Sequence, residues 1–312
     1  MAVLNKMPYS VRLAFNFKTW QPSENEWCQA IIQLQPEERE RIKKFRYRDD
    51  AKASLIGRLM IRKWCGQFLS EFGCQGIATS ISRTEKGRPI LVLDPSQKKL
   101  IGNINFDFNV AHAGDFTVFA AEISEHNVSV GVDVMPLFNK RRDENLEEFL
   151  RLMKRQFTTK EWAQIRKIPL EYDEGLSDTM KNFYRFWCLK ESFVKAEGTG
   201  LAWNLQRLNF NCLTSELKSN AILTDTELEI DGNLQTDWQF HEQLLNVNHC
   251  ASVALCRNAS SDGRTSMPFQ TVLINELLDE LNLNNLHSKT IDSNVLKKEW
   301  DLFLSKEVDK PF

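Results

Sequence analysis

Val11, Leu13, Phe15 and Phe17 alternate with smaller or polar neighbours, a period of two that predicts an opening β-strand. At Gln35-Pro36-Glu37-Glu38 the pattern changes: proline in a first turn and acids at the positive end of the dipole start a helix, which Arg46 and Arg48 close. Leu55, Ile56, Leu59, Met60, Trp64 and Phe68 recur at three- and four-residue spacing and mark the buried stripe of a longer helix, ended by Gly73 and Gly76. Strands follow at 77–82 and 89–93, either side of the turn Glu85-Lys86-Gly87. Ile104, Phe106, Phe108 and Val110 then alternate with Asn105, Asp107, Asn109 and Ala111, and His112 to Asp115 turn the chain into a strand over 116–123. Val128, Val130, Val132 and Val134 alternate strictly, which puts Gly131 and Asp133 together on the opposite face. The second half predicts helices over 145–168 and 178–198, and strands near 207–212, 227–231 and 251–256.

Helices in one group and hairpins in another, with little βαβ alternation, argue an α+β fold. The 312 residues allow about two domains, or one built from two halves, which we place at 1–123 and 124–257. From Asn258 the composition shifts: Ser260-Ser261-Asp262-Gly263 reads as a loop, and Leu277, Leu278 and Leu281 suggest a helix in an extension, 258–312, of no legible role. A chain 42% apolar and 26% charged is neither disordered nor fibrous. Forty basic residues against 42 acidic leave a formal charge of -2, so no global field favours nucleic acid or a membrane and any anion site must be local. Seven scattered cysteines without a CxxC pair point to a reducing compartment, the cytoplasm. No apolar run approaches the ~20 residues that span a bilayer. Lys6, Arg12 and Lys18 precede the first acid, Glu24, as in mitochondrial presequences, but the strand-like alternation there opposes that reading.

Candidate chemistry gathers in a few places. In the segment from Trp187 to Ala196, Phe186, Leu189, Phe193 and Ala196 form the buried stripe, while Glu191 and Lys195 project side by side from the other flank. That pair also reads as an exposed ion pair worth ~0.3 kcal/mol. Lys190 falls on the apolar side, where a lysine is costly unless its ammonium reaches an anion. Asp133, beside a glycine that admits a ligand to the backbone, suits a hard oxygen ligand for Mg²⁺, or is a solvated acid on a half-exposed sheet. The turn Arg83-Thr84-Glu85-Lys86-Gly87-Arg88-Pro89 sets three cations around one glycine, a phosphate clamp or an ordinary solvated turn. Arg41 carries the same two readings, and His112 at a strand end reads first as structural.

In this order the segments resemble the Sfp-type 4'-phosphopantetheinyl transferases, most closely their eukaryotic L-aminoadipate-semialdehyde dehydrogenase branch. The resemblance runs from about residue 10 to 257 through Gln35-Pro36-Glu37-Glu38 with Arg41, Gly57-Arg58-Leu59-Met60-Ile61-Arg62-Lys63, Arg83-Thr84 with Lys86-Gly87, Asn109 with His112, Gly131-Val132-Asp133, Met153-Lys154-Arg155 with Phe157-Thr158, and Lys190-Glu191-Ser192-Phe193 with Lys195-Ala196. Gly-x-Asp followed by Trp-x-x-Lys-Glu-x-x-x-Lys is its specific signature.

The resemblance implies two similar α+β halves about a pseudo-two-fold axis, with the active site in the cleft between them. It implies an enzyme, of the holo-[acyl-carrier-protein] synthase class, that moves the 4'-phosphopantetheine of coenzyme A to a serine of an apo carrier and releases 3',5'-ADP. Asp133 and Glu191 would hold Mg²⁺; Glu191, Lys195 and His112 would act on the reacting groups, Glu191 as base and Lys195 on the phosphate. Arg41 with Arg83, Thr84, Glu85, Lys86, Gly87 and Arg88 would hold the adenosine 3'-phosphate and adenine; Asn109, Val110, Ala111 and His112 would lie along the pyrophosphate, with Ser192 near. The carriers implied are fatty acid synthase, the mitochondrial acyl carrier protein or an aminoadipate reductase, met by a monomer. Carriers present acidic helices, so Arg151, Lys154 and Arg155 are candidate docking cations, or else a solvated helix face.

Three departures qualify this. Ala111 replaces the family's serine, Met135 replaces a second acid of bacterial relatives, and Ala113 replaces the glutamine that compensates in eukaryotic ones, so a thin metal sphere is expected. An inactive homologue that binds coenzyme A or a carrier as a regulatory module is the alternative, and a phosphohydrolase would need two metals and more acids.

Overall fold

The computed structural model describes residues 10–74, 79–138, 146–166, 175–200, 203–257, 266–282 and 292–308. The chain opens with β1 (Ser10–Asn16), α1 (Glu24–Ile32), α2 (Pro36–Lys43) and the long α3 (Arg48–Glu71). The hairpin β2 (Ser80–Arg83) and β3 (Pro89–Val92), the short α4 (Pro95–Ile101) and three long strands, β4 (Asn105–Ala113), β5 (Phe116–Ser124) and β6 (Val128–Pro136), follow. Next come α5 (Leu146–Leu152), α6 (Thr159–Ile165), α7 (Gly175–Glu197), β7 (Leu208–Cys212), β8 (Ile222–Leu223), β9 (Thr226–Ile230), β10 (Asn233–Leu234), β11 (Trp238–Asn246) and β12 (His249–Arg257). The last elements are β13 (Gln270–Thr271), α8 (Ile274–Asn282) and α9 (Ser293–Leu304).

Two four-stranded sheets, β13-β1-β5-β4 and β6-β12-β11-β8, organise these elements. Each carries a long helix on its outer face. On the first, Leu55, Leu59, Trp64 and Phe68 of α3 pack with Phe106, Phe108 and Phe119. On the second, Phe186, Leu189 and Phe193 of α7 pack with Phe240, Cys250 and Ala254. The inner faces meet in a core of smaller side chains, Ala14, Ala111, Val118 and Ala120 against Val130, Val132, Val134 and Val253. β6 pairs with β12 along one edge. On the other, side chains of β4 replace a strand: Asp107 Oδ2 accepts the Val130 N–H at 2.6 Å and Asn109 Oδ1 accepts that of Val132 at 3.2 Å. Two α+β units result, as the periodicities predict.

Several elements depart from expectation. The helix expected over 145–168 is broken: α5 gives way to a 3₁₀ turn, Phe157 is extended, and Thr158 caps α6 by accepting the Glu161 N–H while Glu161 accepts the Thr158 N–H. Periodicity missed α1, although Ser23 and Glu26 form a capping box there. It missed β11 because Glu242 occupies a buried register position, where Arg185 neutralises it at 2.6 Å. It also missed α4 and α9. Residues 77–78, 145 and 167–168 of expected elements lie outside the described residues, as do Lys6, Gly76 and the loop Ser260 to Gly263.

The tail returns to the first half. β13 adds to β1 in parallel, Leu277 and Leu278 of α8 join the core that α3 organises, and Phe303 of α9 stacks on Trp27 with centroids 4.0 Å apart. The second helix stops at Lys43 and not at Arg46 or Arg48: Tyr47, which bridges to Glu307 of the tail, is extended just ahead of α3.

Candidate functional site

A cavity of about 660 Å³ lies where the two halves meet, walled by α3, the β2–β3 turn, the end of β4 and α7. Cations collect at one end; Glu191 and Lys195 line the other, with Asp133 buried behind Lys195 and not itself part of the wall.

The cationic end contains Arg41, Arg58, Arg83 and Lys86. The turn is closed by Gly87 N–H to Thr84 O at 2.8 Å and Thr84 N–H to Arg88 O at 2.9 Å, with Gly87 at φ +86°, so that Lys86 stands at its tip. Arg83 donates to Gly87 O at 2.5 Å and faces the same cavity. Arg58 is buried, and burial pulls its guanidinium down to about 10, with Glu38 opposing the shift and Arg83 and Arg41 reinforcing it. Glu38 is shared: its Oε2 lies 2.6 Å from Arg62, and its Oε1 is 3.8 Å from Arg58. Positive charge thus exceeds negative here, and an anion of high charge density would relieve it. Arg58 was not among the expected site residues. The signal was present, since Arg58 and Arg62 stand four apart beside an otherwise apolar stripe, the same anomaly that singles out Lys190.

At the other end, Asp133 on β6 and Glu191 and Lys195 on α7 converge. Lys195 Nζ lies 2.5 Å from Asp133 Oδ1, so the lysine pairs with the aspartate and not with its own helix neighbour Glu191. Asp133 Oδ2 is buried without a hydrogen-bond partner. Burial raises the Asp133 carboxyl against the pull of Lys195; Glu191 is raised by burial and then by repulsion from Asp133. Two mutually repelling carboxylates with an orphaned oxygen fit a divalent cation. Among the described residues no group of three or more His, Cys, Asp or Glu side chains converges, so the protein side of such a site is thin.

The remaining expected residues sort by this geometry. Asn109, Val110 and His112 reach the cavity wall. Ala111 points instead into the core between the sheets, because alternation along β4 aims it opposite to His112. Ser192 is fully buried, donating to Leu189 O and hydrogen-bonded to Ser252, away from the cavity. Thr84 and Glu85 are exposed on the turn but are not part of the cavity wall. Arg88 lines the cavity, yet its guanidinium is committed to protein: it donates to the carbonyls of Lys195 and Ala196 at the end of α7, to Val130 O at 2.8 Å and to Asp107 at 2.5 Å. It ties the turn to both halves rather than offering a free fork to phosphate. Gly131 admits the backbone of α7, not a ligand: a Cβ there would sit 1.9 Å from Ser192 O. Lys190 finds the anion its position demands, with Nζ 2.9 Å from the equally buried Glu161 and 2.7 and 2.8 Å from the carbonyls of Leu205 and Leu208. Arg151, Lys154 and Arg155 are exposed, flanking α6.

Comparison with known proteins bears on this site. Residues 18–124 match the family model described as 4'-phosphopantetheinyl transferase, N-terminal, and residues 129–255 match that of the 4'-phosphopantetheinyl transferase superfamily. The L-aminoadipate-semialdehyde dehydrogenase-phosphopantetheinyl transferase of Homo sapiens is 37% identical over 300 residues, 95% of this chain and 92% of that protein. Its Rattus norvegicus counterpart is 41% identical over 251 residues, 80% of this chain and 76% of that one. A phosphopantetheinyl transferase of Thraustochytrium is 33% identical over 242 residues, 77% of this chain and 76% of its own length.

Proposed function

Since the chain belongs to the 4'-phosphopantetheinyl transferase superfamily, it is an enzyme that transfers 4'-phosphopantetheine from coenzyme A to a serine of an apo carrier protein, and we propose that the cavity between its halves is where transfer occurs. The observation that carries the proposal is the polarity of that cavity, four cations at one end and Glu191 with Lys195 at the other, where Lys195 is paired with Asp133 buried just behind the wall. The halves, 1–123 and 124–257, are related by a pseudo-two-fold axis, with β13, α8 and α9 completing the first.

In this reading Arg41, Arg58, Arg83 and Lys86 hold the adenosine 3'-phosphate, and Asn109 to His112 lie along the pyrophosphate, with Ala111 offering backbone only. Asp133 and Glu191 would hold Mg²⁺, and the unpartnered Asp133 Oδ2 supports this reading. When bound, the metal neutralises phosphoryl charge that builds as the diphosphate opens. Glu191 takes the proton of the carrier serine hydroxyl, whose oxygen bonds to the β-phosphorus of coenzyme A; the bond from that phosphorus to the bridging oxygen breaks, and 3',5'-ADP leaves with the electron pair. Lys195, held by Asp133, faces the phosphate and stabilises its charge. The physiological carrier is of the fatty acid synthase, mitochondrial acyl carrier or aminoadipate reductase type, met in the cytoplasm by a monomer. No helix among the described residues is long and apolar enough to cross a membrane.

Two tests follow from the two ends. Lys86→Ala and Arg58→Met should each weaken coenzyme A by about tenfold, since a charge-assisted hydrogen bond is worth ~1.5–3 kcal/mol, and 3'-dephospho-coenzyme A by less than about threefold. Calorimetry with both ligands checks this; equal losses would move the 3'-phosphate elsewhere. Reversing Lys154 and Arg155 to glutamate should raise the KM for an acidic carrier while that for coenzyme A holds, and should flatten the salt dependence of the rate. A carrier KM that does not move would return both to the ordinary surface.

A further inference from the structure

The cationic end of the cavity is built on a short connection, Lys44 to Tyr47, between α2 and α3. Arg41 in the last turn of α2 and Phe45 in the connection both face the cavity. A helix of eight residues has little stability of its own, and its last carbonyls have no partners within it. Arg41 O and Ile42 O accept from the Lys44 and Phe45 N–H groups, while the partner of Lys43 O comes from the far end of the chain.

Lys306 is buried, and its Nζ donates to Lys43 O at 2.8 Å and Phe45 O at 2.6 Å, which places a positive charge at the negative end of the α2 dipole. Glu307 continues the hold through the backbone: its N–H donates to Arg46 O at 3.1 Å, and its carbonyl accepts the Arg48 N–H at 2.9 Å. Arg48 returns the contact by donating to the carbonyls of Lys306 and Leu304. Glu299 of α9 pairs with Lys43 at 2.9 Å. Residues 299–307 thus grip the outer side of a segment whose inner side is cavity wall.

We propose that Lys306 is a positioning residue for coenzyme A: by fixing the carbonyls of Lys43 and Phe45 it sets the rotation of the last turn of α2 and so the reach of Arg41 into the cavity. The tail, to which no role attaches from the sequence, is then part of the apparatus that recognises the 3'-phosphate. The proposal rests on the reading of Arg41 as a 3'-phosphate ligand. Displacing such a ligand by about 1 Å is enough to cost tenfold or more.

The test measures the ratio of KM for 3'-dephospho-coenzyme A to KM for coenzyme A, on the full chain with an apo carrier. Arg41→Ala should collapse this ratio. Lys306→Met should lower it about fivefold through a rise in the KM for coenzyme A, with kcat at saturation and the KM for dephospho-coenzyme A held within about twofold. Lys306→Arg, which keeps two donors and the charge, should restore the ratio, and Lys306→Gln, with one amide to share, should fall between. A Lys306→Met protein that melts earlier but keeps the parent ratio while Arg41→Ala collapses it would show that Lys306 serves stability alone, and would overturn the proposal. If Lys306→Met does not fold, the Lys306→Gln ratio decides in the same way. If Arg41→Ala leaves the ratio unchanged, the subsite reading falls first and the proposal with it.

Discussion

Replacing Glu191 by glutamine is expected to lower transfer at least about 10³-fold, while coenzyme A affinity stays within a few-fold of the parent. General-base catalysis contributes ~10²–10⁴-fold, and the amide also removes one of two negative ligands from a sphere that the protein fills thinly. A loss of three decades corresponds to about 4 kcal/mol of barrier. Binding should survive because the cationic end, where most of the ligand's charge is held, does not involve Glu191. The measurement is the mass of an apo carrier sampled over time, beside calorimetry of coenzyme A. Steady-state transfer within tenfold of the parent would remove Glu191 from its role, and a parallel collapse of binding would assign it to holding substrate instead.

Replacing Lys190 by methionine is expected to destabilise the protein by about 3–5 kcal/mol, because it strands Glu161 in a site with no exposure to water. In a chain of this length that corresponds to a fall in Tm on the order of 10 °C. The loss should depend on pH with a definite sign. Burial already raises Glu161, and Lys190 is the largest influence opposing it. Without the lysine the folded-state carboxyl rises further above its unfolded value, so the folded state binds the extra proton and stability falls as pH rises through the interval between the two values. The deficit against the parent should be smaller at pH 5 than at pH 8. The double variant Lys190→Met with Glu161→Gln should recover more than half of it, since glutamine keeps an acceptor for the Phe210 N–H, which Glu161 now receives at 3.1 Å. A deficit that is flat in pH and unimproved in the double variant would mean that lost packing, not a stranded charge, is the cause.

Lys190 shows what kind of information a sequence carries about such a site. Its placement on the apolar side of α7 demanded an anion, and one is there, yet nothing local identified Glu161, which reaches it from a different helix. Asp133 with Gly131 is similar: alternation along β6 put both on the face opposite the valines, but spacing along one strand does not say that the neighbour needing room is the backbone of α7. Arg88 and Lys86 sit two apart in one basic turn and look alike as text; only the tertiary fold commits Arg88 to carbonyls at the end of α7. The same limit hid β11, where Glu242 breaks the apolar register because Arg185 on α7 meets it. Periodicity registers what a residue's own element requires, and these four cases turn on what another element supplies.

The return of β13, α8 and α9 to the first half also sets an order of events during synthesis. The ribosome emits β1, α1 and α3 early, but the strand that covers the free edge of β1 and the ring that stacks on Trp27 are encoded beyond residue 265. The second sheet and its helix, by contrast, lie wholly within residues 128–257 and are complete once that stretch is exposed. This layout lets the later half mature before the earlier one, which keeps apolar surface and a bare strand edge open to solvent until the tail emerges. For that interval the first half is the part of the molecule most exposed to misassociation, and a chaperone has most to shield there.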